Sequence, residues 1–267
     1  MKVNMHKIFQ GTLPFLLIGV VASCSNGITQ EEKNKSLAFE TLATDGEHSE
    51  MSNRNDQSNR LAVVQISDSE LHSFVGSDTL EVIASNLKTY FQSTNDGEWD
   101  QLMRHFPLHK RADTAFVNSS KRALQHWWDN GVRNRTEFSE IIYVSPAALD
   151  NDQEVILLNM KLKHFVEFHP FYTGSNPEGM KGMVESNYGK GNATFHELPL
   201  AEGDSIPFRY WEIDGLNRIW ALSHVDSAHW CFLPPNFNES GAANMMGSEA
   251  MVSGLRHRRT NDPTADN

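Results

Sequence analysis

The stretch VILLNMKLKHFVEFH, residues 155–169, decides how the rest of the chain is read. Leu158, Met160, Leu162, Val166 and Phe168 fall on one side of a period of two; Asn159, Lys161, Lys163 and Glu167 fall on the other. That alternation predicts a long β-strand with one face in the core and one wetter face. His164 is the one polar interruption of the apolar side. Further strands are expected on both sides of this one. Phe138–Val144 is rich in β-branched and aromatic residues and stops at Ser145-Pro146. Phe208–Ile213 and Leu216–His224 read as a hairpin across Asp214-Gly215, a good two-residue turn. Ala228–Leu233 is the last strand, ended by Pro234-Pro235.

Upstream the period is helical. Leu80, Ile83, Leu87, Tyr90 and Phe91 share one face, Asp78 with Glu81 resembles an N-cap pair, and Asn95-Asp96-Gly97 breaks the run. A short face of Trp99, Leu102, Met103 and Phe106 follows, stopped by Pro107. Ser119–Asn130 is a third helix, with Leu124, Trp127 and Trp128 apolar and Gly131 as its C-cap. Helices first and antiparallel strands afterwards make an α+β fold: N-terminal helices packed on a curved antiparallel sheet. Between Tyr172 and Ala201 the chain is Gly-rich, with Gly174, Gly179, Gly182, Gly189 and Gly191 in no phosphate-binding pattern, and reads as a mobile loop between strands.

That order resembles the NTF2-like superfamily, which includes the SnoaL-like proteins. The residues that carry the resemblance are Tyr90-Phe91 through Asn95-Asp96-Gly97-Glu98-Trp99, then Trp220-Ala221-Leu222 and Trp230-Cys231-Phe232, over the span Leu80–Leu233. It implies a cone-shaped sheet backed by helices. The superfamily includes isomerases, dehydratases and hydrolases as well as binding domains, so fold alone does not choose among them.

The two ends differ from the middle. Lys2 and Lys7, an apolar run from Leu13 to Ala22 and the small residues before Cys24 describe a secretory signal; the apolar run is shorter than the ~20 residues a membrane-spanning helix needs. Val21-Ala22-Ser23-Cys24 resembles the lipobox of bacterial lipoproteins, which implies a signal peptide over 1–23, lipid on Cys24 and attachment to membrane through that lipid. Ser25 rather than Asp after the cysteine resembles outer-membrane sorting in enteric bacteria, and Glu31-Glu32 resembles a surface-export signal of Bacteroidetes. A periplasmic or surface-facing lipoprotein of the outer membrane is the expected location. Residues 24–68 are expected to be a disordered tether and 238–267 a disordered tail, leaving one domain over 69–237. The composition of the tether runs from Ser25 to about Arg60.

The full chain has 267 residues and a formal net charge of -11. Lys2 and Lys7 are the only charges before Cys24, so the remainder carries 21 basic against 34 acidic side chains, a net charge of -13. A chain this acidic is poorly suited to nucleic acid or to anionic lipid. With Cys24 lipidated, Cys231 has no partner for a disulfide.

The candidate catalytic residues are His164 and His224, each on the expected inner side of a strand, where an imidazole could move a proton. No partner Asp or Tyr is fixed by spacing, and a core histidine with one hydrogen bond is the commoner situation. The candidate metal ligands are His229 and Cys231, two apart on one strand face, without the spacing motifs of zinc sites. Next to Trp230 and Phe232, Cys231 is more often an inert core residue than a nucleophile. No cofactor is implied. The leading expectation is a membrane-anchored bacterial envelope lipoprotein with a non-catalytic binding or interaction domain. One alternative is a SnoaL-like enzyme or binder of a small hydrophobic ligand that uses a histidine in the cone. The other is an accessory subunit of an envelope complex, docking to a protein partner or as a homodimer.

Overall fold

A computed structural model of the chain describes residues 61–67, 75–145, 147–150, 153–174, 176–200, 206–224 and 229–233. β1 (Val63–Ile66), α1 (Ser77–Asp96), α2 (Trp99–Met103), α3 (Leu108–Ala112) and α4 (Thr114–Asp129) come first. β2 (Val132–Val144), β3 (Ala148–Asp150) and β4 (Gln153–Phe168) follow. A 3-10 turn (Pro177–Met180), α5 (Lys181–Tyr188), β5 (Ala193–Glu197), β6 (Arg209–His224) and β7 (Trp230–Phe232) complete the α+β order. The seven strands form one sheet in the order β1-β2-β4-β6-β5, with β3 paired to β4 and β7 to β6.

β4 is the predicted long strand, 16 residues in one run. It pairs antiparallel with β2 on one side and with β6 on the other, from Gln153 opposite His224 to Phe168 opposite Arg209. The expected hairpin at Asp214-Gly215 is therefore replaced by a continuous strand. Asp214 faces Lys163 and Gly215 faces Leu162, in the middle of β6. A two-residue hairpin turn needs positive φ, and Gly215 does not adopt it. Its glycine serves a close approach instead: a Cβ there would meet Asn192 Nδ2 at 3.1 Å and the Tyr188 carbonyl at 3.4 Å. The missing side chain lets the end of α5 settle on the sheet.

The sheet is not wholly antiparallel. β1 runs parallel to β2, with Val63 opposite Phe138 and Ile66 opposite Ile141. Residues 63–66, placed within the expected tether, are thus an edge strand, and the domain begins before Ser69. A parallel partner requires a long crossover, and α1 to α4 provide it.

Two apolar clusters hold the helices to the sheet. In the first, Leu80, Ile83, Leu87 and Tyr90 of α1 pack on Ile141, Leu158, Met160, Ile219 and Phe232. In the second, Met180, Val184 and Tyr188 pack on Val166, Phe168, Trp211 and Ile213. The stretch expected to be a loop after Tyr172 thus contains a 3-10 turn, a helix and a strand, and the turn and helix cover half of the sheet.

Helix ends follow local chemistry. α1 starts at Ser77 with no side-chain cap, so Asp78 lies inside the first turn rather than at the N-cap; there its charge favours the helix dipole. α4 starts at Thr114, five residues before Ser119, because Asp113 caps it by accepting from the amides of Ala115 and Phe116 at 3.0 Å. It ends as expected, the Gly131 amide bonding the Trp128 carbonyl at 3.0 Å. Trp127 packs against both clusters. Trp128 meets Trp99 edge-on at 5.6 Å and carries the Arg133 guanidinium over its ring at 4.2 Å.

The alternation of β4 generates a paired prediction. Leu162 is buried in the first cluster, whereas Lys161 is exposed and 3.3 Å from Glu140 on the other face. Leu162→Asp should cost roughly 3 kcal/mol or more, from lost packing and an unpaired buried carboxylate. Lys161→Asp sets two acids side by side on the surface and should cost about 1 kcal/mol or less. Urea unfolding of the two variants checks this; equal losses at both positions would remove the two-faced description of β4.

Candidate functional site

The inner face of the sheet changes character where the two clusters meet. β2 and β4 slip register between Thr136 and Phe138, a bulge that leaves the amide and carbonyl of Thr136 facing the helices. Asn95, at the end of α1, fills both: its Nδ2 donates to the Thr136 carbonyl at 2.9 Å and its Oδ1 accepts from the Thr136 amide at 2.8 Å. The sequence showed Asn95 only as a helix breaker. In the fold it fastens the helix to the bulge.

His164 sits directly opposite Thr136. Its Nδ1 is 3.0 Å from Thr136 Oγ1, and its ring stacks on Tyr188 with centroids 6.0 Å apart. Burial lowers the imidazole pKa to about 4; the Arg135 charge adds to this and Glu167 opposes it. His164 is therefore on the inner side, as expected, and neutral at pH 7. Burial also pushes the hydroxyl of Tyr188 well up, and a charge on Tyr90 would push it further. The Tyr90 hydroxyl is itself buried, with no hydrogen-bond partner among the described residues, and its pKa is raised by the same cause. His164, Thr136, Tyr188 and Tyr90 make a polar seam between two apolar cores.

On the opposite face β2 and β4 hold a buried ion cluster that the sequence pattern did not reveal. Arg135 donates from Nε to Glu167 at 2.6 Å and from a terminal nitrogen to Glu137, with its guanidinium 4.3 Å from the centre of the Phe165 ring. His169 Nε2 lies 3.8 Å from Glu167. Burial pushes the Glu167 carboxyl up, but bonds from His169 and Arg135 outweigh it and hold the group below the usual carboxylate range. The signal available in sequence was only Arg133, Arg135 and Glu167 inside otherwise strand-like runs.

His229 and Cys231 lie at the other end of the sheet, and both spend their polar atoms on the segment between α2 and α3. His229 Nε2 donates to the Arg104 carbonyl at 2.6 Å, and Cys231 Sγ donates to the Phe106 carbonyl at 3.2 Å. Between them the Phe232 amide donates to the His105 carbonyl at 2.8 Å. The three bonds staple residues 104–106 to β7. Burial pushes the Cys231 thiol up to about 11, with Arg111 opposing, so it is protonated at pH 7. His105 stacks on His229 with centroids 5.4 Å apart and donates from Nδ1 to the Trp230 carbonyl at 3.3 Å. Burial brings its pKa down to about 4; the Trp230 bond opposes this, and His229 and Arg111 add to it. Among the described residues no group of three or more His, Cys, Asp or Glu is placed to hold a metal ion. A cleft of about 190 Å³ opens beside the staple, between Leu108 and Arg111 of α3 and Gln153, Leu222 and Cys231 of the sheet.

His224 ends β6 opposite Gln153, and its side chain lies outside the described residues, as does Cys24 altogether. Compared with protein-family models, characterised proteins and solved structures, the chain has no significant match in any of the three.

Two histidines held neutral, His105 buried and His164 part-buried at the seam, fix a pH dependence. Their folded pKa values, about 4, lie below the ordinary 6.5, so between those limits the unfolded chain takes up protons that the folded chain refuses. Stability should be complete above about pH 6.5, fall as pH drops towards 4, and level off below. Each histidine contributes at most about 3 kcal/mol to that fall. Urea unfolding at pH 7.5 and 4.5 measures it, and His164→Gln should remove up to half of the difference. Equal stability at the two pH values would show that neither imidazole is held neutral by the fold as described.

Proposed function

We propose that the chain is a lipid-anchored bacterial envelope lipoprotein whose α+β domain binds a ligand or partner and performs no chemistry of its own. The observation that carries the reading is the state of its reactive side chains. His164 is neutral, stacked and bonded to Thr136, and Cys231 is a protonated thiol held by a backbone carbonyl. A general base works best with a pKa near the operating pH, and a nucleophilic cysteine works as its thiolate. Neither condition is met. The membrane part of the reading rests on Val21-Ala22-Ser23-Cys24 and the basic, apolar run before it. The order of helices followed by long antiparallel strands supports an NTF2-like arrangement, to which the parallel β1 is an addition.

One observation favours a second reading, a small-ligand pocket of the SnoaL-like kind on the inner face. The buried Tyr90 hydroxyl has no acceptor or donor among the described residues, and a ligand reaching the seam would meet it beside His164 and Tyr188. His164→Ala separates the two: it would abolish binding at the seam and leave binding elsewhere intact.

Cys24→Ala tests the anchor. The variant should leave the membrane fraction and appear in the soluble envelope fraction, with an unchanged thermal midpoint for the domain, because lipid and core are separate parts of the molecule. Each buried methylene contributes about 0.8 kcal/mol, so stable attachment needs the acyl chains. Retention with membranes after a salt wash would defeat the lipoprotein reading.

A further inference from the structure

The cleft beside α3 has walls without a filling. Pro107, Leu108, Leu222 and Cys231 make most of it apolar, and Gln153 and Arg111 add polar groups. Arg111 Nε is buried and has no hydrogen-bond partner among the described residues, nor does its guanidinium form an ion pair there. A buried donor left unpaired calls for an acceptor, and of Arg111, Arg133 and Arg209, whose Nε atoms are all in that state, Arg111 is the one that lines this cleft. The half-buried Arg111 borders the cleft together with Cys231. His229 also lines the cleft, but its Nε2 is committed to the Arg104 carbonyl. The open valence belongs to Arg111.

Three features choose the ligand. The segment from Arg104 to Arg111 carries Arg104, Lys110 and Arg111 and no acid, on a chain whose net charge is -11. An anion is drawn to this corner and repelled from most of the rest. The cleft, about 190 Å³, is smaller than the ~300 Å³ and upwards of drug-sized sites, which suits a small molecule. A single guanidinium fork suits the two oxygens of one carboxylate, while apolar walls suit a short hydrocarbon and not a second charge.

We infer that this cleft binds a small aliphatic carboxylate, its two oxygens on Arg111 and its hydrocarbon against Leu108 and Leu222. The site gives the binding domain proposed above a ligand class, and rests on that reading only in taking binding as the domain's task. It is separate from the polar seam around His164, being lined by α3 and the far ends of β4, β6 and β7.

The test is saturation-transfer NMR on the full chain in detergent, with butanoate and the isosteric butanamide as probes. Butanoate should bind at least about ten-fold more tightly, since a charge-assisted fork replaces a neutral contact. Arg111→Gln should bring butanoate down to the level of butanamide, with the circular dichroism spectrum unchanged. Should that variant not fold, Leu108→Asp decides. Leu108 is 52% exposed and opens α3, where an acid favours the helix dipole, so the fold is kept. Its carboxylate beside Arg111 should then weaken butanoate by a similar factor. Equal binding of acid and amide, or butanoate binding untouched by both substitutions, would overturn the assignment. Neither result bears on membrane attachment, which Cys24→Ala reports separately.

Discussion

Everything in this fold answers to the length of β4. Sixteen residues paired on both sides span roughly 53 Å at ~3.3 Å per residue. The 20 residues of α1 span only about 30 Å. One helix cannot cover such a strand, and an uncovered apolar half would face water. The chain meets the constraint with two covers: α1 over Leu158, Met160 and Leu162, and α5 with its 3-10 turn over Val166 and Phe168. His164 stands where one cover ends and the other begins. A polar side chain is tolerated there because Thr136 and Tyr188 approach it from β2 and α5.

The seam also explains the bulge. Two helical covers at different points along one face require the sheet to bend between them, and a bulge bends a strand at the cost of backbone bonds. Asn95 supplies those bonds from α1, so the helix position and the bend are set by the same side chain. Gly215 performs the matching service for α5, since its missing Cβ is what the end of that helix approaches. At the far end the carbonyls of residues 104–106 are taken by β7 and its neighbours. This holds the short α3 over the cleft.

The long strand and the α+β order were legible because they rest on period and turn chemistry over many residues. What escaped detection did so for particular reasons. Residues 132–137 are strand, but Arg133, Arg135 and Glu137 hide it, and the burial of Arg135 depends on Glu137 beside it and on Glu167 of a neighbouring strand. Leu61–Ile66 is short and follows a polar run, so its membership of the sheet depends on β2 lying beside it. Asp214-Gly215 has turn composition, yet the unbroken β4 opposite keeps it extended. The helix after Pro177 has glycines that argue against it, and the uncovered half of β4 argues for it more strongly. Tertiary demand overrode local preference each time.

The site residues show a different limit. Reading by residue type selects His164, His229 and Cys231, since histidine and cysteine carry much of protein chemistry. In the fold their polar atoms are engaged with Thr136, the Arg104 carbonyl and the Phe106 carbonyl. Type says what a side chain can do, whereas satisfaction says what it still has to do. By that second criterion the atoms to watch include Tyr90 Oη at the seam and Arg111 Nε at the cleft, buried and unanswered among the described residues as are His105 Nε2, Arg133 Nε and Arg209 Nε. Neither Tyr90 nor Arg111 stands out in sequence. Tyr90 reads as one more apolar position on a helix, and Arg111 as one charge in a basic run. Whether a donor is answered depends on groups brought close from elsewhere in the chain, here α1 against the seam and α3 against the ends of β4, β6 and β7. A binding site of this kind is a shortage of partners among the described residues, and it becomes visible only once the fold has set those residues side by side.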